Sequence, residues 1–452
     1  MIRNRSAGSA HILTAVSPRT MTGFPVFVLL LLVLSASLSH AGSAVTIGAE
    51  ALYERDFTEL RGKRVGLITN HTAMVDGIHL IDLMHEDEIQ LVALFAPEHG
   101  LRGMQEDGVS IGDGIDRQTG VRVYSLYGGV KKPTLEMLAG LDVLVFDIQG
   151  IGTRFYTYIS TMGLAMQAAA EAHIPFVVLD RPNPLGGEHF RGPVLEEGCG
   201  SFVGEYPIPV AYGMTMGELA LMIRGEHMLP GLESLDLSVV RMEGWQRAML
   251  WPETGLEWVR TSPNIPDFET ALLYPGICLL EGTTASVGRG TREPFKLVGF
   301  PGIDAKELAA RLNGKNLPGV RFEPSLFTPR SIPGMSSNPR FRDREIAGVR
   351  ISITDPRAYR PLTTGIHLLC TLYGMLSREE RASFFHQSGF DELAGTKNVR
   401  RSIEDGTSPE SIIAGWNTGM ERFGELRRKY LLYGVTAEQQ SRRAKVIPRL
   451  AD

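Results

Sequence analysis

Leu91-Val92-Ala93-Leu94-Phe95-Ala96-Pro97-Glu98-His99-Gly100 is an apolar run that stops at a proline and ends in a carboxylate, an imidazole and a glycine. A short continuous apolar run bounded by turn formers reads as a strand buried on both faces. Such strands belong to parallel sheets covered by helices, and those sheets bind ligands beyond the carboxyl ends of their strands. Glu98 and His99 stand at such an end, fixed between a proline and a glycine.

The same pattern recurs on either side. Residues 65–70, 142–147 and 176–180 are short β-rich runs ending in Asn70, Asp147 and Asp180. Helical stretches are predicted at 78–88, 134–138 and 158–173, between or beside these runs. Strand alternating with helix gives an α/β fold with a Rossmann-like parallel sheet. A Pro/Gly-rich excursion covers 182–212, then a helix over 215–224 and a strand over 235–241. Further on, a helix over 305–313, a strand over 349–354, a helix over 365–376 and a helical tail over 409–428 predict a second, smaller α/β domain. The expected organisation is a leader over 1–41, a Rossmann-like catalytic domain over 42–265 and a C-terminal domain over 266–452 that completes the cleft.

The 452 residues exceed what one hydrophobic core organises, which supports two domains. Apolar residues make up 43% and charged residues 21%, ordinary globular values, and the 50 glycines favour a turn-rich α/β chain over an all-helical one. Arg3, Arg5 and Arg19 precede an apolar stretch over 24–38 and a small-x-small site, Ser39-His40-Ala41, the order of a secretory signal peptide. Cleavage after Ala41 would take the net charge from −5 to −8 by removing those three arginines. An acidic exported chain is a poor nucleic-acid binder, because phosphate contacts need a basic surface. No membrane partner is expected once the leader is removed. The three cysteines, Cys199, Cys278 and Cys370, are too widely spaced for a disulfide framework or a zinc set.

If the sheet is parallel, one rim gathers Asn70 and His71, Glu98 and His99, Asp147 and Gln149, and Asp180 with Arg181 and Asn183. Neighbouring carboxylates push each other's proton affinities apart and so suit general acid/base work. Asp147 and Asp180 fit equally well as helix caps or satisfied buried groups, whereas glutamate is a poor cap. His99 is open to two readings, a packed side chain or a group that tunes Glu98. The segment 150–158 offers Arg154 for an anion and Tyr156 for a sugar face, and a similar Gly/Arg/Thr composition recurs around Glu281 and Arg289. Two such loops suggest an anionic, polyhydroxylated ligand in a cleft. No G-x-G-x-x-G, phosphate loop, nucleophile elbow or H-E-x-x-H is present, so neither a cofactor nor a metal is expected.

Phe95-Ala-Pro-Glu-His-Gly100, Phe155-Tyr-Thr-Tyr158, Leu179-Asp-Arg-Pro-Asn-Pro184, Gly213-Met-Thr215 with Gly217-Glu218, Ser262-Pro-Asn264 and Gly288-Arg-Gly-Thr291 follow one another in this order. In this the chain resembles the exo-β-N-acetylmuramidases of glycoside hydrolase family 171 over roughly residues 50–440. The resemblance implies release of N-acetylmuramic acid from non-reducing ends of peptidoglycan fragments, for cell-wall turnover or recycling, with a catalytic acid at Glu98. Asp147 or Asp180 is the expected partner, as base or electrostatic stabiliser, and Arg154 or Arg289 the expected grip on the lactyl carboxylate. Three departures stand out. Gly150 replaces an aspartate usual in the family, Thr261 a common proline, and Tyr212 an expected histidine.

Overall fold

The computed structural model describes residues 45–101 and 112–434, so the predicted leader lies outside the described residues. Its centre is a seven-stranded sheet in the order Leu237–Val240, Phe176–Leu179, Val143–Asp147, Val65–Thr69, Leu91–Ala96, Arg122–Ser125 and Gly114–Ile115. All neighbours are parallel except the last pair. The chain builds outward from Val65–Thr69 to Arg122–Ser125, then returns to the other side of Val65–Thr69. The strand order therefore reverses between Val65–Thr69 and Val143–Asp147, the doubly wound arrangement, in which ligands generally bind beyond the carboxyl ends of the strands near such a reversal.

Both of these central strands are buried at all five positions. Alternate residues serve opposite cores. Ile68, Phe95, Leu144 and Phe146 pack into one, with the long helix Tyr158–Glu171, while Val65, Leu67, Leu94, Val143 and Val145 pack into the other, with the helix Leu80–Glu86. This is why the strands read as unbroken apolar runs.

The later part of the chain forms a three-stranded antiparallel sheet, Leu297–Phe300, Ile346–Ile353 and Val320–Phe327, with the helix Ala305–Asn313 beside it. The predicted strand at 349–354 is the middle one. Of its two partners, Val320–Phe327 escaped detection because it is half exposed and broken by Pro324, and Leu297–Phe300, though buried, is only 4 residues long. The predicted helical tail is two helices, Pro409–Ala414 and Asn417–Arg427, separated at Gly415-Trp416.

The helix expected to begin at Gly365 runs from Pro361 to Met375. Gly365 is interior because this helix crosses another, Phe268–Ile277, in direct backbone contact. A Cβ on Gly365 would lie 2.4 Å from the Gly276 carbonyl oxygen, and one on Gly276 would lie 2.0 Å from that of Pro361. Replacing Gly365 by alanine forces these helices apart and is expected to cost about 1–3 kcal/mol, measurable as a lowered denaturant midpoint at unchanged slope.

Candidate active site

The strand Leu91–Ala96 ends at Pro97, and two consecutive left-handed residues, His99 (φ +71°) and Gly100 (φ +75°), turn the chain sharply. A non-glycine residue held in that region marks a position the surroundings over-determine. The turn presents Glu98 to a cavity of about 210 Å³ whose lining includes His99, Tyr127, Tyr156, Thr157, Tyr274, Cys278, Glu281 and Arg289. Glu98 Oε2 accepts a hydrogen bond from the Thr157 hydroxyl at 2.9 Å. The Glu98 turn and the segment 150–158, both singled out in the sequence, thus meet through Thr157.

Opposite chain segments complete the cavity. Arg289 grips Glu281 through Nε and Nη2, the latter at 3.2 Å from Oε2. The Cys278 thiol donates to the same oxygen at 3.5 Å; burial and the Glu281 charge push its proton affinity up, so it stays a donor. Glu281 is therefore a carboxylate of fixed orientation, charge-balanced by Arg289. Tyr156 packs edge-on against Tyr158 and Tyr274 at centroid distances of 4.9 and 6.0 Å, giving an aromatic wall suited to the apolar face of a sugar. Tyr274 and Cys278 were missed in the sequence. They come from the helix Phe268–Ile277 and the turn after it, whose composition carries no motif.

The remaining strand-end residues are spent inside the protein. Asp147 is fully buried and forms a two-pronged ion pair with Arg181, Oδ1 to Nε at 2.5 Å and Oδ2 to Nη2 at 2.8 Å. Asp180 accepts from the Tyr433 hydroxyl at 2.6 Å, the Thr215 hydroxyl at 2.7 Å and the Gly217 amide at 2.8 Å, anchoring the start of the helix Met216–Gly225. Neither carboxylate lines the Glu98 cavity, so the expected base role for Asp147 or Asp180 is corrected by geometry. Gln149 donates to the carbonyls of Gly150 and Pro182, and Asn183 bridges the Leu185 amide and the Met214 carbonyl. The Asn70 side-chain oxygen holds the amide and hydroxyl of Thr72, leaving its buried Nδ2 without a partner.

Arg154 is also corrected. Its guanidinium is fully buried and donates to the carbonyls of Pro193 and Ile208 through Nη1 and of Leu393 through Nη2, at 2.8–3.0 Å. With no carboxylate in ion-pair contact among the described residues, burial pulls its pKa down to about 9. It cannot reach a substrate carboxylate. His71 is a further, half-buried group, donating Nε2–H to the Arg260 carbonyl at 2.5 Å, and partial burial lowers its proton affinity.

The sequence matches the family descriptions "Exo-beta-N-acetylmuramidase NamZ, N-terminal" over residues 65–269 and "Exo-beta-N-acetylmuramidase NamZ, C-terminal" over residues 272–433. It is 44% identical over 391 residues to the "Peptidoglycan beta-N-acetylmuramidase NamZ" of Bacillus subtilis (strain 168), an alignment covering 86% of this chain and 91% of that protein. The chain belongs to the exo-β-N-acetylmuramidase NamZ family. It is a glycoside hydrolase. Two solved DUF1343 family proteins of Bacteroides fragilis NCTC 9343 share the fold. One has TM-score 0.79 and 39% identity over 86% of this chain and 99% of its own; the other has TM-score 0.71 and 37% identity over 87% and 100%.

Two of the departures from the family pattern are neighbours in space. A Cβ on Gly150 would lie 3.1 Å from Met216 Sδ and 3.9 Å from the Tyr212 hydroxyl. It points into a small buried pocket that Tyr212 and Met216 also line, not into the Glu98 cavity. Gly150 therefore removes no side chain from the Glu98 cavity.

Two measurements probe these assignments. Replacing Arg154 by methionine leaves three buried carbonyls without their donor and is expected to lower unfolding free energy by about 3 kcal/mol or more in a denaturant titration. For Asp180, burial raises the carboxyl pKa from 3.8 to about 6, with Glu218 adding to the rise and the three donors opposing it. Between those values the folded state holds the proton that the unfolded state has released, so stability falls as pH rises. Relative to Asp180→Asn, the wild type is expected to lose up to about 3 kcal/mol between pH 4 and pH 6 in paired thermal or denaturant melts.

Proposed function

We propose that this chain is an exported, exo-acting β-N-acetylmuramidase that releases N-acetylmuramic acid from non-reducing ends of peptidoglycan fragments during cell-wall turnover or recycling. The observation that carries the chemistry is the pairing, across one cavity, of Glu98 with the Glu281–Arg289 couple. Glycoside hydrolysis commonly uses two carboxyl groups. Glu98 stands at this cavity and is oriented by Thr157, so it serves as the acid that protonates the leaving glycosidic oxygen. His99, beside it in the turn, shapes its surroundings. Glu281, held by Arg289 and Cys278, is the second carboxylate. It acts as the base for water or as the group that orients the substrate's acetamido oxygen.

Among the described residues Arg289 is the arginine that lines this cavity, and it replaces Arg154 as the group that recognises the lactyl carboxylate distinguishing muramic acid from glucosamine. A cavity of about 210 Å³ has room for one sugar ring, in keeping with removal of a terminal unit. Export rests on the signal-peptide pattern of residues 1–41, and the mature protein is expected to begin at Gly42 by intact mass.

The decisive assay uses chromogenic β-N-acetylmuramide and β-N-acetylglucosaminide with the purified mature protein. Glu98→Gln is expected to lower kcat on the muramide by about 100-fold or more. Arg289→Met is expected to shrink the preference for muramide over glucosaminide by about tenfold. Undiminished turnover in the first variant sinks the acid assignment; an unchanged preference in the second sinks the carboxylate grip.

A further inference from the structure

A second cavity, of about 450 Å³, lies where the loop after Pro184 meets the loop that opens the helix Pro361–Met375. The helix Phe268–Ile277 contributes Leu272 to its wall and Tyr274 to the wall of the Glu98 cavity, so the same helix serves both. No residue lining the second cavity lines the first. Its apolar surface comes from Leu185, Phe190, Leu250, Leu272 and Leu362.

Four arginines stand around this apolar surface, and their commitments differ. Arg247 is paired with Glu218, and Arg357 with Glu253. Arg360 uses only Nη1, on the carbonyls of Arg357, Ala358 and Tyr359, so Nε and Nη2 have no acceptor among the described residues. The exposed Arg191 side chain makes no ion pair or hydrogen bond among the described residues. Among the described residues Glu188 is the one carboxylate in the lining, leaving two uncommitted guanidiniums against one negative charge. The helix Pro361–Met375 begins at this wall without a side-chain cap, and the positive end of its dipole adds to the same field.

An apolar chamber with uncommitted guanidiniums at its edge fits a ligand that has a small apolar body and a terminal carboxylate. A neutral sugar ring fits it poorly, because five aliphatic or aromatic side chains would face hydroxyl groups. Given the glycosidase reading above, on which this step rests, the polymer substrate carries short peptides rich in alanine that end in a free carboxylate. We propose that this cavity is a second binding site, for the carboxylate end of such a peptide, with Arg191 and Arg360 as its anion contacts. Occupying it would hold peptide-bearing material on the enzyme while the Glu98 cavity removes a sugar.

The test uses the full mature protein and acetyl-alanyl-alanine as probe, with its C-terminal amide as control, titrated by calorimetry or ligand-observed NMR. Binding of the acid is expected, at least tenfold weaker for the amide and for Arg191→Glu. Arg191 is exposed, so this variant tests charge without disturbing the core. Arg360→Gln is the second variant, accepted only if its melting curve matches the wild type. Hydrolysis of the peptide-free chromogenic muramide is expected to be unchanged in Arg191→Glu and uninhibited by the probe. Absence of probe binding, equal binding of acid and amide, insensitivity to Arg191→Glu, or competitive inhibition of muramide hydrolysis each overturns the second site. Lack of muramide hydrolysis by the wild type overturns the glycosidase reading instead, and the probe titration reads independently of it.

Discussion

A guanidinium buried without a counter-charge is the constraint on which the site depends. Arg154 sits between three carbonyls drawn from the segments ending at Pro193, Ile208 and Leu393, and its own amide donates to the Val210 carbonyl. Taking a cation out of water is costly unless donors and acceptors are matched closely. The backbone closes tightly around it: Gly395 passes so near that a Cβ there would lie 2.3 Å from Nη2, while the buried Nε has no acceptor among the described residues. Because Leu393 lies in the C-terminal family region and Arg154 in the N-terminal one, this side chain is one of the links that hold the two together. The residues immediately after it, Phe155 to Tyr158, then have little freedom, and they carry Tyr156 and Thr157 to the Glu98 cavity.

A second layer of buried charge holds the sheet's carboxyl edge. The Asp147–Arg181 pair ties the ends of two adjacent strands, and Asp180 ties the next helix and the distant Tyr433 to the same edge. A buried ion pair is weak evidence for net stability, but losing one partner strands the other. The edge is thus rigid, and a rigid edge lets Glu98 and the Glu281–Arg289 couple face each other across a small gap. Acid/base chemistry needs that preorganisation more than it needs many carboxylates.

Much of this was legible in the chain. The four apolar runs ending in Asn70, Glu98, Asp147 and Asp180 are adjacent parallel strands, and Glu98 stands at the cavity. The two Gly/Arg/Thr loops do meet, through Tyr156 and Thr157 on one side and Glu281 and Arg289 on the other. The antiparallel sheet was less legible, because half-exposed strands lack an unbroken apolar run. Gly365 misled for a physical reason: a glycine that permits two helix backbones to touch looks in sequence like a glycine at a helix boundary.

Sequence by itself determined the doubly wound sheet, the family and the place of Glu98, since each follows from local pattern: apolar period, turn residues and ordered motifs. Which of the other charged residues face a ligand was decided only by tertiary structure. Asp147, Asp180, Arg154 and Arg289 are indistinguishable by local composition. The partners of the first three, Arg181, Tyr433 and Leu393, come from separate parts of the chain, with the Asp180–Tyr433 contact spanning 253 positions, whereas Arg289 pairs with Glu281 only 8 residues before it. A buried charge takes its role from whatever satisfies it, and for Asp147, Asp180 and Arg154 no local window of sequence contains that partner.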